Sequence, residues 1–237
     1  MDVKELIANY QPSRAGIALI QAAKIVLLVG ISGAGKDTIK GKLLERDGYK
    51  DIVSHTTRAP RMENGTLETD GLQYNFVSMD EAHTMLENQE FIEAKFVHGS
   101  VVYGTSTKEV EDAYKQGKIA ITDIDVQGVD EYKQLSQDVV AIFILPPDFN
   151  TWRGRLRKRY ATEEEFEVEW PKRRDSAIAE LRRALEVPYY HFIINGDLSH
   201  AVRVADDIAH KPDVFTRKDD LARLAARDLL ASIEARV

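Results

Sequence analysis

The sequence predicts an α/β fold, a parallel β-sheet with helices on both of its faces. Residues 25–29 (IVLLV) are consecutively apolar and rich in β-branched side chains, as suits a strand covered on both faces. Strand-length apolar runs recur at residues 119–125, 139–145 and 191–195, with helical patterns between them. That alternation is the mark of parallel strands joined by crossover helices. A chain of 237 residues can bury a full core, and one elaborated domain suits it better than two equal ones.

The elements follow in order. Residues 1–23 read as a helical extension broken at Pro12-Ser13, with Leu6, Ile7, Tyr10, Ile17 and Ile20 as its buried positions. Residues 15–23 have the look of a weak signal core. They are short, interrupted by Gln21 and continuous with the strand at 25–29, so they read as the end of a helix. A helix is expected from Lys36 to Arg46, stopped by Asp47-Gly48, then a strand at 51–54 and a polar loop from Met62 to Gly71. Residues 74–77 and 90–97 read as strands around a helix at 78–89, and a further helix covers 106–116. An arginine-rich helix at 148–159, an acidic stretch at 163–169 and a helix at 171–186 precede the last strand. Beyond Pro212, Leu221, Ala225, Leu229 and Ile233 fall four apart, the spacing of an amphipathic helix that must dock on something.

Composition narrows the function classes. The chain is 43% hydrophobic and 30% charged with a formal net charge of −7, which argues against a general nucleic-acid binder. It has no cysteine, which excludes disulfides, thiol catalysis and Cys-ligated metals and is compatible with a cytoplasmic setting. No apolar run approaches membrane-spanning length, so no membrane partner is expected. The six histidines show neither metal-ligand spacing nor a catalytic triad.

The chemistry concentrates after the first strand. Gly30-x4-Gly35-Lys36 fits the phosphate-binding P-loop: glycines let successive backbone N–H groups face one anion, and Lys36 adds charge at the head of a helix. Gly30, Ser32, Gly33, Ala34, Gly35, Lys36, Asp37 and Thr38 are therefore the expected ATP contacts. Where the pattern places a Ser or Thr for Mg²⁺, Asp37 stands instead, and Thr38 follows one place late. A carboxylate ligates Mg²⁺ but also sets negative charge beside a polyphosphate.

Four motifs, Gly30 to Lys36, Ser54-His55-Thr56-Thr57-Arg58-x-x-Arg61, Tyr103-Gly104-Thr105-Ser106 and Asp123-Ile124-Asp125-x-Gln127-Gly128, together resemble guanylate kinase over residues 24–211. The resemblance implies a P-loop core, an inserted GMP-binding region at 54–109 and a lid at 155–173, flanked by extensions at 1–23 and 212–237. It implies phosphoryl transfer from ATP to GMP, with Mg²⁺ on the donor nucleotide. Arg58 and Arg61 correspond to binders of the GMP phosphate, assisted by Tyr74 and Tyr103. Glu93 corresponds to the guanine-reading glutamate, Asp123 to an acid supporting the same edge, and Ser54 and Thr105 to hydroxyls that donate to O6. The chemistry agrees, since a carboxylate satisfies the N1–H and N2–H₂ donors of guanine and meets a lone pair on adenine. Read alone, Glu93 is equally an exposed charge on a strand.

Asp123 and Asp125 fall on one strand face by alternation, which leaves Asp125 near the phosphates as a water-mediated Mg²⁺ ligand or as a cap of the next turn. Arg155, Arg159 and Arg173 match the lid residues that stabilise the phosphoryl group in flight, with Lys172-Arg173 seven residues ahead of Glu180. Arg153, Arg157 and Arg174 read as a solvated face paired with residues 163–169. Departures from the family pattern are Asp37, extra length between Pro60 and Tyr74 (MENGTL), Val101-Val102 before Tyr103, a longer acidic lid, and end extensions suited to packing together or to a homo-oligomer contact. Two alternatives remain at this point: a kinase of another small phosphorylated acceptor, and a non-catalytic protein-binding module.

Overall fold

The structure is a computed structural model that describes residues 2–63, 66–97, 99–214 and 220–236. The chain divides into two compact units, one of Met1–Ile25, Gly48–Thr122 and Asp130–Val139, the other of Val26–Asp47, Asp123–Val129 and Val140–Val237.

The second unit carries the phosphate loop. Its strands β1 (Ile25–Val29), β10 (Val140–Leu145) and β11 (Tyr190–Ile194) run parallel in the order β11-β10-β1, with Leu28 opposite Ile142 and Phe143 opposite Phe192. All five residues of β1 are buried, as the unbroken apolar run predicts. Helices α3 (Lys36–Leu44), α7 (Phe149–Arg157), α8 (Glu163–Glu186), α9 (Leu198–His210) and α10 (Asp220–Glu234) complete it, with a 3-10 turn at Pro212–Val214. The acidic stretch is not a loop before a helix starting at Pro171, because α8 begins at Glu163 and runs through Pro171. Two local causes move the boundary. Thr162 and Glu165 form a capping box, and three glutamates in the first turn complement the helix dipole. Phe166 and Trp170 then stack with each other, and Trp170 with Trp152 and Phe149, which fixes the turn ahead of the proline.

Helix α10 docks on α8, β11 and α7 through Ala226, Leu229 and Ile233. Each buried Leu or Ile contributes about 1.5–3 kcal/mol. Leu221, expected on this face, is 78% exposed. The buried stripe advances at spacings of three and four rather than four alone, as 3.6 residues per turn requires.

The first unit holds α1 (Val3–Ala8), α2 (Arg14–Ala22), β2 (Tyr49–Asp51), β3 (His55–Thr56), β4 (Met62–Glu63), β5 (Thr66–Leu67), β6 (Asn75–Phe76), α4 (Met79–Glu87), β7 (Phe91–Val97), β8 (Val101–Ser106), α5 (Thr107–Lys115) and β9 (Ile119–Asp123). Strands β2 and β9 pair in parallel, and β6-β3-β8-β7 form a separate four-stranded sheet. The expected strand at 51–54 lies earlier, and its last ladder bond is Ile52 N–H to Ile121 C=O. In the inserted loop β4 pairs with β5, and residues 64 and 65 of MENGTL lie outside the described residues.

The extensions dock separately, each on its own unit. In the first, α1 packs on α4 and β7, and α2 on α5 and β7. Val3 joins Ala82, Leu86, Phe91 and Val102 in a buried cluster against which Leu6, Ile7 and Tyr10 pack. Ser13 caps α2 by accepting from Gly16 N–H, which explains the break at Pro12-Ser13. Ile20 is buried and Ile17 half-buried.

Candidate active site

In the second unit the predicted site residues gather around the loop after β1. Gly30 has φ +143°, and a Cβ there would lie 2.3 Å from the Ile144 carbonyl oxygen. Gly35 has φ +97° and a Cβ there would lie 2.3 Å from Asn195 Nδ2, so both positions demand glycine. Lys36 opens α3 and donates to Gly30 O at 2.5 Å, leaving two ammonium hydrogens for phosphate oxygens. The loop is braced from behind. Asn195 Nδ2 donates to Ala34 O at 2.9 Å, Arg155 reaches Asn195 O at 2.9 Å and Ala34 O at 3.4 Å, and buried Trp152 donates to Ser32 O at 2.7 Å. Arg155 is thus engaged with loop carbonyls, whereas Arg159 Nη1 meets the Ser32 hydroxyl at 3.2 Å. Arg173 Nε donates to Tyr160 OH at 3.1 Å. Asp37 and Thr38 are exposed on the first turn of α3.

One acid, Asp125, differs from expectation. Strand β9 ends at Asp123, so Asp125 does not share its face; Asp125 Oδ1 accepts from Gly128 N–H at 2.7 Å and caps α6 (Val126–Leu135). The helix start wins because its free N–H groups need acceptors. Asp123 pairs with Lys40 Nζ at 2.8 Å, a partner that the sequence reading did not identify. Glu180, on α8, accepts from Ser176 Oγ at 2.7 Å. Burial raises its pKa, opposed by the Ser176 bond and by the charges of Lys36 and Arg173. Arg153 pairs with Glu167 and Arg157 with Glu163, the solvated face expected of them.

A second cluster of predicted site residues lies in the first unit. Arg58 forms a fork with Glu68, at 2.7 and 2.9 Å, in which both side chains are under 10% exposed. Its Nε donates to Tyr103 OH at 3.1 Å, and its guanidinium lies 5.1 Å from the Tyr74 ring centroid. The fork, joined by the Arg61 backbone N–H, holds the Glu68 carboxyl down to about 2 and pushes Arg58 above the usual arginine range. Tyr74 meets Tyr103 edge-on at 5.7 Å, and the Arg61 side chain is exposed. Thr105, 1% exposed, donates to Glu93 Oε1 at 2.8 Å, and Ser54 Oγ lies 3.5 Å from Thr105 Oγ1. Glu93, Thr105 and Ser54 are therefore adjacent, and Arg58 gathers Tyr74, Tyr103 and Glu68.

The guanylate kinase family model matches residues 22–210, most of the chain. The chain belongs to the guanylate kinase family. It is 37% identical over 181 residues to guanylate kinase 1 of Oryza sativa subsp. japonica, covering 75% of this chain and 45% of that protein. It is 33% identical to the guanylate kinase of Clostridioides difficile, over 80% of this chain and 88% of the relative. The crystal structure of guanylate kinase from Anaplasma phagocytophilum superposes with a TM-score of 0.58 at 27% identity, over 84% of this chain and 90% of that one. Among the described residues no helix is long and apolar enough to cross a membrane, and no group of three His, Cys, Asp or Glu is arranged to hold a metal ion.

Lys40, Trp152 and Asn195 also lie among these residues, and sequence pattern does not single them out. Asn195 was the most findable, since a polar residue closing an apolar strand before Gly196-Asp197 marks the carboxyl end of a sheet strand, where α/β ligands bind. Lys40 and Trp152 carry no local signal.

Proposed function

We propose that this chain transfers the γ-phosphoryl group of ATP to GMP, giving ADP and GDP. The observation that carries this reading is the Glu93–Thr105–Ser54 edge, with Thr105 Oγ1 2.8 Å from Glu93 Oε1. The carboxylate takes the guanine N1–H and N2–H₂, and the hydroxyls supply the proton that O6 needs. Arg58 keeps one unengaged N–H after serving Glu68, Ala59 and Tyr103, and offers it to the acceptor phosphate with Arg61 and the two tyrosine hydroxyls.

On the donor side the loop amides and Lys36 hold the phosphates, and Arg159 and Arg173 stabilise the charge on the moving phosphoryl group. Arg155 positions the loop through Ala34 and Asn195. No general base is required, because the accepting phosphate oxygen is already ionised at neutral pH. Mg²⁺, which takes one or two carboxylates and otherwise water and substrate phosphate oxygens, fits an exposed Asp37 on the first turn of α3. Bound there with ATP, it would neutralise phosphate charge.

Two variants test the assignment. Lys36→Ala is expected to lower kcat at least ~100-fold with little change in the urea midpoint. Glu93→Ala is expected to lower kcat/KM for GMP by ~100-fold or more while leaving the KM for ATP unchanged. Near-wild-type rates in both would overturn the proposed function.

A further inference from the structure

Strand β7 lies at the edge of its sheet, so among the described residues one row of its backbone N–H and C=O groups meets no neighbouring strand. A side chain of the N-terminal extension meets that row instead. Tyr10 OH donates to Phe91 O at 2.7 Å and accepts from Phe91 N–H at 2.9 Å, so one hydroxyl serves both backbone groups of one residue. The pairing of β7 with β8 slips at the same place. Phe91 stands opposite Ser106 and Glu93 opposite Thr105, which leaves Ile92 as the extra residue of a β-bulge. A bulge re-aims the side chain that follows it, here Glu93, whose Oε1 accepts from Thr105 Oγ1 at 2.8 Å. Glu93 also borders a cavity of about 220 Å³ that Tyr10, Gln11, Glu131 and Gln134 help to line. The strand therefore has room to relax there, and the bulge, not tight packing, sets where the carboxylate stands.

We propose that Tyr10 is a positioning residue for base recognition: by holding both backbone groups of Phe91 it fixes the bulge that presents Glu93 to guanine. This rests on the proposed reading of Glu93 as the group that accepts from the guanine edge. The hydroxyl is a firm anchor because the segment that carries it is held from several directions. Ile7 and Tyr10 pack on the buried cluster that contains Val3, Leu86 and Phe91, Gln89 Nε2 donates to Gln11 O at 3.2 Å, and Ser13 caps α2 directly afterwards. Burial, partly offset by the Phe91 bond and reinforced by the charges of Glu90 and Glu93, pushes the Tyr10 hydroxyl up to about 12, so it stays protonated and donates at neutral pH. A phenylalanine would keep the ring packing and leave the Phe91 N–H and C=O without these two bonds. Glu93 lies two residues further along, so slack in the bulge passes directly to the carboxylate, and a small misplacement of a substrate-positioning group is costly. The N-terminal extension thus belongs to the recognition of the acceptor as well as to the packing of the fold.

The test is Tyr10→Phe in the full chain, with Leu6→Ala as a control that loosens the same extension without removing a hydrogen bond to β7. Tyr10→Phe should raise the KM for GMP roughly 3- to 10-fold, the range that the loss of neutral hydrogen bonds supports, with kcat and the KM for ATP unchanged. Leu6→Ala should lower the melting temperature and leave the KM for GMP at the wild-type value. In a Glu93→Ala background Tyr10→Phe should cause no further loss of kcat/KM for GMP. Without nucleotide, amide hydrogen exchange across residues 91–95 should be faster in Tyr10→Phe than in the wild type, and unchanged in Leu6→Ala. The proposal is overturned by an unchanged KM for GMP in Tyr10→Phe, by an equal rise in Leu6→Ala, by an additive loss in the Glu93→Ala background, or by a Tyr10→Phe chain that does not fold. A wild-type chain that does not turn over GMP refutes the kinase reading instead, and the exchange of residues 91–95 then decides whether Tyr10 fixes the bulge.

Discussion

Gly35 and Gly41 lie six residues apart, at the N-cap and in the middle of α3, yet alanine should act on them with opposite sign. At Gly35 the backbone has φ +97° and ψ 28°, and a Cβ would come 2.3 Å from the Asn195 amide nitrogen that braces Ala34. The left-handed conformation costs an L-residue about 1–2 kcal/mol. Moving Asn195 breaks its bond to the Ala34 carbonyl and adds about 1–2 kcal/mol, so Gly35→Ala should lose about 2–4 kcal/mol. At Gly41 a Cβ meets nothing within 4 Å and the position is exposed, so Gly41→Ala should gain about 0.5–1 kcal/mol. Urea denaturation gives both values from the midpoints if the slopes match the wild type. The ATP KM should rise in Gly35→Ala and stay constant in Gly41→Ala. Equal midpoints for the two variants, or a Gly35→Ala chain as stable as the wild type, would refute the claim that backbone geometry and the Asn195 brace hold this loop.

The Glu68 carboxyl sits at about 2, below its ordinary value of 4.5, so its pairing stabilises the fold fully above about pH 4.5 and is lost as pH falls toward 2. Acid unfolding of Glu68→Gln should therefore lack part of the wild-type slope in that window, and its GMP KM should rise because Arg58 loses its anchor; an identical acid profile would contradict the pairing. Tyr10 OH donates to Phe91 O at 2.7 Å and accepts from Phe91 N–H at 2.9 Å, which ties the N-terminal extension to β7 two residues before Glu93. Tyr10→Phe should lose about 1–3 kcal/mol in thermal or urea melts, and a neutral result would show the extension to be loosely held. Asp37→Asn should raise the Mg²⁺ concentration for half-maximal rate several-fold without moving the GMP KM; an unchanged Mg²⁺ requirement would remove Asp37 from the metal site.

The phosphate loop was readable because its chemistry is local. Glycines at 30 and 35 and a lysine at 36 are demanded by backbone dihedrals and phosphate charge, which short-range pattern reports. The adjacency of Ser54, Glu93 and Thr105 came from resemblance, since residues on three segments meet only through the β6-β3-β8-β7 sheet. Strand β8 is not legible in the sequence, because Gly104, Thr105 and Ser106 have poor strand pattern. Its close packing explains them, as a Cβ at Gly104 would lie 2.8 Å from both the Phe91 ring and the Glu93 carbonyl. Helix α9 is legible in the sequence, with Asp197 as its cap and Ala201, Val202, Ala205 and Ile208 at helical spacing. Pro171 misled because a proline is a strong local stop, whereas the capping box eight residues upstream of Trp170 and the aromatic stack outweigh it. The partners of Arg58 and Asp123 were beyond sequence pattern, because each depends on which side chain the tertiary fold brings alongside.

The most direct measurement of the central claim is ADP formation by the purified full chain with Mg²⁺ and ATP, given in turn GMP, dGMP, AMP, CMP and UMP. Turnover confined to GMP and dGMP is the predicted result, because only guanine presents two donors to Glu93 and an acceptor to Thr105. Comparable turnover with AMP, or none with GMP in folded protein, would contradict it.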